Sequence, residues 1–155
     1  MPVYLPVTGA PSEANSGYGA AFYIGDEASP TGWTLVAEVA SVNNKKFSVP
    51  AIDTTNLQSP NATEEMFPGI KKPGTFEITG NYTGDPSQLL FDTLAASQQI
   101  FPFKMTAGMQ KNTKTATVTG NCFVTESEDG PYEANKKIDF KVTLQKTGPT
   151  VTAIA

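Results

Sequence analysis

GTFEITGNYTGDPSQLLFDTLAAS, residues 74–97, carries both regular periods of a folded chain within 24 positions. In its first half Phe76, Ile78 and Tyr82 share one face, with Gly80 between them, while Thr75, Glu77, Thr79 and Asn81 share the other. A period of two predicts a strand with one face buried and one wet, as in antiparallel sheets. Gly84 ends it. Asp85-Pro86-Ser87-Gln88 then reads as a helix start: Asp85 caps the free N–H groups, Pro86 fits the first helical position, and Gln88 stands where a capping box places its return acceptor. Leu90, Phe91, Leu94 and Ala95, with Leu89 on the margin, form an apolar stripe at helical spacing. The predicted helix covers about 86–97, and its stripe reads as core packing.

Outward from this unit the chain is written in short strands. Tyr18–Ile24 and Trp33–Val39 are strand-like, separated by a turn over Asp26–Gly32. Asn43-Asn44 predicts a turn into a third strand, Lys45–Val49. Ile100–Thr106 follows the helix, with Pro102 suggesting an edge or a late start. Beyond a polar turn at Gln110–Lys114, Thr115–Thr125 alternates with Ala116, Val118, Gly120, Cys122 and Val124 on one face. An acidic turn, Glu126–Pro131, precedes Lys137–Lys146, where Ile138, Phe140, Val142 and Leu144 oppose Asp139, Lys141, Thr143 and Gln145. The expected fold is mainly β: a single-domain β-sandwich or barrel of about seven strands with one flanking helix. The single domain spans 1–155, with an extended N-terminal arm at 1–16, the sandwich core at 17–149 and a C-terminal tail at 150–155.

Residues 51–73 interrupt this rhythm. Pro60, Pro68, Pro73 and Gly69 break every short run, and the segment reads as a long loop. Loops of this length inside small domains are uncommon and usually functional or disordered. This one carries Ile52, Leu57, Met66, Phe67 and Ile70, which a purely solvated loop would not need. Together with Pro68 and Gly69 they are the candidate surface for packing against another chain.

Composition narrows the chemistry. The chain has 155 residues, 39% hydrophobic and 17% charged, with a net charge of -4. It has no His, and all 11 basic residues are Lys. Ser-His and Cys-His pairs and imidazole metal ligands are therefore unavailable, as are bidentate Arg clamps on phosphate or guanine. Cys122 has no partner for an intrachain disulfide and lies in the apolar register of its strand, which makes it a small buried hydrophobe. Glu126, Glu128 and Asp129 lack the spacing of a calcium loop and read as a solvated hairpin tip. Glu64-Glu65 has no assured convergent geometry for acid and base. No catalytic, cofactor or metal site is read, and the expectation is a non-enzyme. Trp33 is either a core aromatic at a strand end or, with nearby tyrosines, the platform of a small β-sandwich carbohydrate-binding module; a hydrolase working through two converging carboxylates is the third reading. No secretory signal or run of about 20 apolar residues is visible, so no membrane partner is expected.

Taken in order, several pieces resemble one family. After a strand ending near Val49 come Asp53-Thr54-Thr55, then Glu65-Met66-Phe67-Pro68-Gly69-Ile70-Lys71-Lys72-Pro73-Gly74, then the alternating strand Phe76–Tyr82 leading into the capped helix. The closing strand runs into Lys146-Thr147-Gly148-Pro149. This series is similar to the tail-tube proteins of long non-contractile-tailed bacteriophages, over roughly Val36–Pro149. The resemblance implies a structural virion subunit that self-assembles into hexameric rings stacked as a tube, with sheets joined across subunits. It implies that the long loop reaches a neighbouring subunit and that the arms order on assembly. The partners implied are further copies of the chain, a tape-measure protein and a tail terminator. The implied location is the virion tail, assembled in the host bacterial cytoplasm, with genome DNA passing through the lumen without specific binding. An acidic chain suits that last role, because carboxylates facing a channel repel phosphates.

Overall fold

Helix α1 covers Pro86–Ser97 as expected, and the strand before it, residues Thr75–Asn81, buries Phe76, Ile78 and Gly80 while half-exposing the residues between. The computed structural model of the chain describes residues 16–26, 32–109 and 113–155. The expected N-terminal arm, apart from Ser16, lies outside the described residues, as do 27–31 and 110–112 of the predicted turns.

In chain order the strands are β1 (Ala21–Gly25), β2 (Trp33–Leu35), β3 (Val39–Asn44), β4 (Phe47–Ser48), β5 (Ala51–Asp53), β6 (Met66–Pro68), β7 (Lys72–Pro73) and β8 (Thr75–Asn81). After α1 follow β9 (Phe101–Met109), β10 (Lys114–Asp129) and β11 (Asp139–Ile154). Seven of them form one antiparallel sheet in the order β2-β1-β9-β10-β11-β8-β3. The sheet folds over on itself. Phe22 of β1 and Phe76 of β8 stand four places apart in that order, yet their rings meet edge-on at 5.4 Å. Phe103 of β9 joins them, stacked on Phe22 at 6.0 Å and edge-on to Phe76 at 4.8 Å. Such ring pairs contribute roughly 0.5–1.5 kcal/mol each beyond the area they bury. Ile24, Ile78, Phe101, Val118, Cys122, Phe140, Val142 and Leu144 fill the same core.

The helix seals one side with Phe91 and Leu94, while Leu90 is half-buried and Leu89 stays exposed. Asp85 caps it through Ser87, whose N–H donates to the carboxylate at 2.9 Å. The Ser87 hydroxyl, donating to the same oxygen at 2.7 Å, and then this N–H hold the Asp85 carboxyl below its ordinary value. Gln88 does not return to the cap as a capping box would. Its Oε1 accepts the Thr83 N–H at 3.0 Å, and its Nε2 donates to the carbonyls of Ala37 at 2.9 Å and Asn81 at 2.8 Å. Ser87 Oγ accepts the Ala37 N–H at 3.0 Å. Two buried polar side chains at the helix start thus satisfy the backbone of a turn some fifty residues away.

Four expectations change. Asn43-Asn44 is not a turn: both residues pair within β3, opposite Glu77 and Phe76. The break falls earlier, where Glu38 takes φ 59° and its carbonyl sits against Gly80. The acidic stretch Glu126–Asp129 is also in register, with Glu128 opposite Lys141, because a bulge at Thr125 keeps β10 paired with β11. Residues 150–155 are not a tail. Gly148, at φ 72°, carries β11 through a register shift, after which Val151 faces Thr119 and Ile154 faces Ala116. Trp33, finally, is half-buried on the face opposite the phenylalanines, where Lys104 Nζ lies over its ring at 4.8 Å and over Tyr23 at 4.7 Å. That ammonium covers one face of the ring.

Gly74 bridges two parts of the sheet: its N–H donates to the Lys46 carbonyl and its carbonyl accepts from the Lys146 N–H. A Cβ at this position would overlap the Lys45 carbonyl. Gly74→Ala is therefore expected to lose about 1–3 kcal/mol of stability, since backbone must move to admit the methyl group. Urea denaturation followed by circular dichroism measures it, with Gly17→Ala, where a Cβ meets nothing, as the neutral control.

Candidate assembly surface

Residues 45–75 form a β-hairpin arm, replacing the expected loop. The β3–β8 pairing ends at Asn44 and Phe76, but bonds continue outward from Lys45 N–H to Thr75 O at 2.9 Å and from Gly74 N–H to Lys46 O at 3.2 Å. Phe47 then faces Pro73 and Ser48 faces Lys72. Gly69 N–H donates to Pro50 O at 2.7 Å, and Ala51, Ile52 and Asp53 face Pro68, Phe67 and Met66. The prolines, which lack the N–H a ladder needs, cut these pairings into strands of two or three residues.

The arm's tip holds itself together without a core. Thr54 N–H donates to Glu65 O, Asn56 N–H to Ser59 Oγ, and Ser59 Oγ to the Glu65 carboxylate at 2.8 Å. Asp53 Oδ1 accepts the Thr55 N–H at 2.9 Å, and hydrogen bonding from Thr55 holds the Asp53 carboxyl below its ordinary value.

None of residues 47–73 is buried. The seven residues singled out from sequence all lie on this arm, distributed over its tip and both faces of its ladder. Ile52 and Phe67 are cross-strand partners; Leu57 and Ile70 project almost fully, at 107% and 86% exposure, and Met66 and Pro68 are exposed. Gly69 is half-buried, because Pro50 and Ile52 crowd its missing side chain. Two further apolar residues, Phe47 and Val49, are exposed on the same arm. The sequence predicts a third strand over Lys45–Val49; its outer part pairs only with the arm's return strand and stays exposed. Burying each such side chain against a partner contributes roughly 1.5–3 kcal/mol.

A second exposed element is the far end of β11. Its pairing with β8 stops at Gln145, so among the described residues 151–154 pair with β10 on one side and with no strand on the other, and Val151 and Ile154 are exposed. Free edges invite pairing with another chain.

Lys146 stands where arm and core meet. It is 2% exposed, with Nζ donating to Asn44 Oδ1 at 2.5 Å and lying over the Phe76 ring at 4.7 Å. Burial, and then the charge of nearby Lys46, lower its pKa from the ordinary 10.5. Burial pushes the Cys122 thiol far up, which keeps it an unreactive core group. Among the described residues no three acidic, Cys or His side chains gather to hold a metal, and no helix is long and apolar enough to cross a membrane.

No family model matches the chain, and no curated protein matches it in sequence. Its fold does match solved structures. One is from the tail of an empty gene transfer agent particle refined with C6 symmetry, at a TM-score of 0.71 and 12% identity, over 90% of this chain and 99% of the other. The SPP1 tail tube matches at 0.65 and 13%, over 90% and 78%. A chain of the sheath-tube complex of an extracellular contractile injection system matches at 0.63 and 15%, over 92% and 93%. The chain therefore has the fold found in these tail and tube structures.

A folded lysine held below its ordinary pKa carries an electrostatic penalty while both states are charged; raising the pH relieves it once the folded form loses its proton first. Wild type is expected to gain stability relative to Lys146→Met as pH climbs from neutrality toward 10.5, the ordinary lysine value. Paired denaturant titrations across that range read the difference, and a gap independent of pH contradicts the assignment.

Proposed function

We propose that this chain is a tail-tube subunit that self-assembles into stacked, six-fold rings forming a conduit for DNA delivery, and that it is not an enzyme. The observation that carries the reading is the arm: a hydrogen-bonded hairpin of which no residue from 47 to 73 is buried, yet which exposes several large apolar side chains. A free-standing subunit has no use for that surface, whereas a ring or stack supplies the missing cover. The likeness to the tail and tube structures supports the same reading. The whole chain acts as one tube domain whose contact residues are Ile52, Leu57, Met66, Phe67, Pro68, Gly69 and Ile70, joined by Phe47 and Val49. It works in the virion tail, is assembled in the host bacterial cytoplasm, and meets a tape-measure protein inside and a terminator at the end. DNA passes through the lumen without specific binding, as the acidic balance of the chain favours.

Phe67→Asp together with Ile70→Asp is expected to leave the subunit folded, because neither side chain contributes to the core, and to abolish polymerisation. Circular dichroism reports the first and negative-stain electron microscopy the second. Loss of the fold would place both residues in the subunit's own core, and tubes of normal length would remove the arm from the interface.

A further inference from the structure

The arm's charges are sorted along its length. Lys45, Lys46, Lys71 and Lys72 are all exposed at its root, with Lys146 buried beneath them. The ion pairs of Lys136 with Glu133 and of Lys137 with Asp139 lie elsewhere; among the described residues none of the four root lysines is in an ion pair, and Lys71 Nζ lies over the Phe47 ring at 4.4 Å. At the tip stand Asp53, Glu64 and Glu65, on either side of the fully projecting Leu57. Asp53 and Ser48 are five residues apart, so root and tip lie on the order of 20 Å from each other at strand rise. That exceeds the screening length of about 8 Å at physiological salt, so the two ends of one arm do not neutralise each other.

The root also has a receptacle. A surface hollow of about 330 Å³ is lined by Lys46, Lys71, Pro73, Gly148, Pro149 and Thr150. Two lysines form its charged wall, two prolines its apolar wall, and the unpaired edge of β11 closes it. An acidic tip with one protruding leucine is complementary to it in charge and in polarity.

Building on the tail-tube reading, we infer that the acidic tip of one copy's arm, Asp53, Glu64 and Glu65 around Leu57, seats in the lysine-lined hollow at the root of a neighbouring copy's arm. The contact is heterologous: each copy offers a tip to one neighbour and a root to another, which gives the assembly a direction. It also supplies local attraction between subunits that each carry a net charge of -4 and otherwise repel.

Two variants test this, the charge reversal K46E/K71E/K72E at the root and D53N/E64K/E65K at the tip, which neutralises one carboxylate and reverses two, both on exposed or half-exposed positions. Circular dichroism first establishes that each is folded. Critical concentration is then measured by pelleting and negative stain, at low and at raised sodium chloride. Wild type is expected to form tubes with a critical concentration that rises with salt. Each variant alone is expected to need about tenfold more protein or more, because like charges then meet at the contact. An equimolar mixture is expected to recover assembly, since each variant's tip opposes the other's root in sign. Variants that assemble as wild type does, or folded variants whose mixture gives no recovery, overturn the seat. So does a root variant that assembles normally but loses retention of duplex DNA, an outcome that assigns the lysines to phosphate. Absence of tubes from wild type under all conditions overturns the tail-tube reading itself.

Discussion

The three-ring contact of Phe22, Phe76 and Phe103 is the constraint on which the rest of the structure depends. It draws together strands from distant places in one sheet, and in doing so it encloses the sheet's apolar face. α1 then closes the remaining gap with Phe91 and Leu94, and its first turn fastens the Ala37–Glu38 corner through Ser87 and Gln88. Among the described residues the core closes without a contribution from residues 47–73, none of which is buried.

The junction between core and arm is correspondingly crowded. Gly74 admits the Lys45 carbonyl, and Lys146 is buried near Lys46, with Asn44 as its hydrogen-bond acceptor and the Phe76 ring under its ammonium. A cation buried without a carboxylate is costly, and substitution by an apolar residue of similar volume is often tolerated or stabilising. Its cost is consistent with a junction built for position, in which the charge of the root is concentrated where a neighbouring tip would meet it.

Much of the fold was legible because period and chemistry agreed. Phe76, Ile78 and Gly80 alternate inward as the sequence predicts, and the Asp85-Pro86 start and stripe place α1 at its observed bounds. Where they disagreed, the sequence misled. Asn43-Asn44 has turn chemistry, but the turn sits at Glu38, a residue type that does not announce φ > 0. Gly148-Pro149 looks like an ending, although the chain resumes pairing beyond it. The inward parity of Phe140, Val142 and Leu144 extends to Lys146; its charge hid a signal that the period already contained. The arm's apolar residues were visible as a surface in search of a partner, but its hairpin was not. Ladders of two or three residues broken by proline leave no period to read.

The most direct test of the central claim is a helical cryo-electron microscopy reconstruction of tubes grown from the purified chain. The account predicts rings in which Ile52, Phe67 and Ile70 are buried against a neighbouring copy. A tube in which those three side chains remain facing solvent, with subunits held by other surfaces, would contradict it.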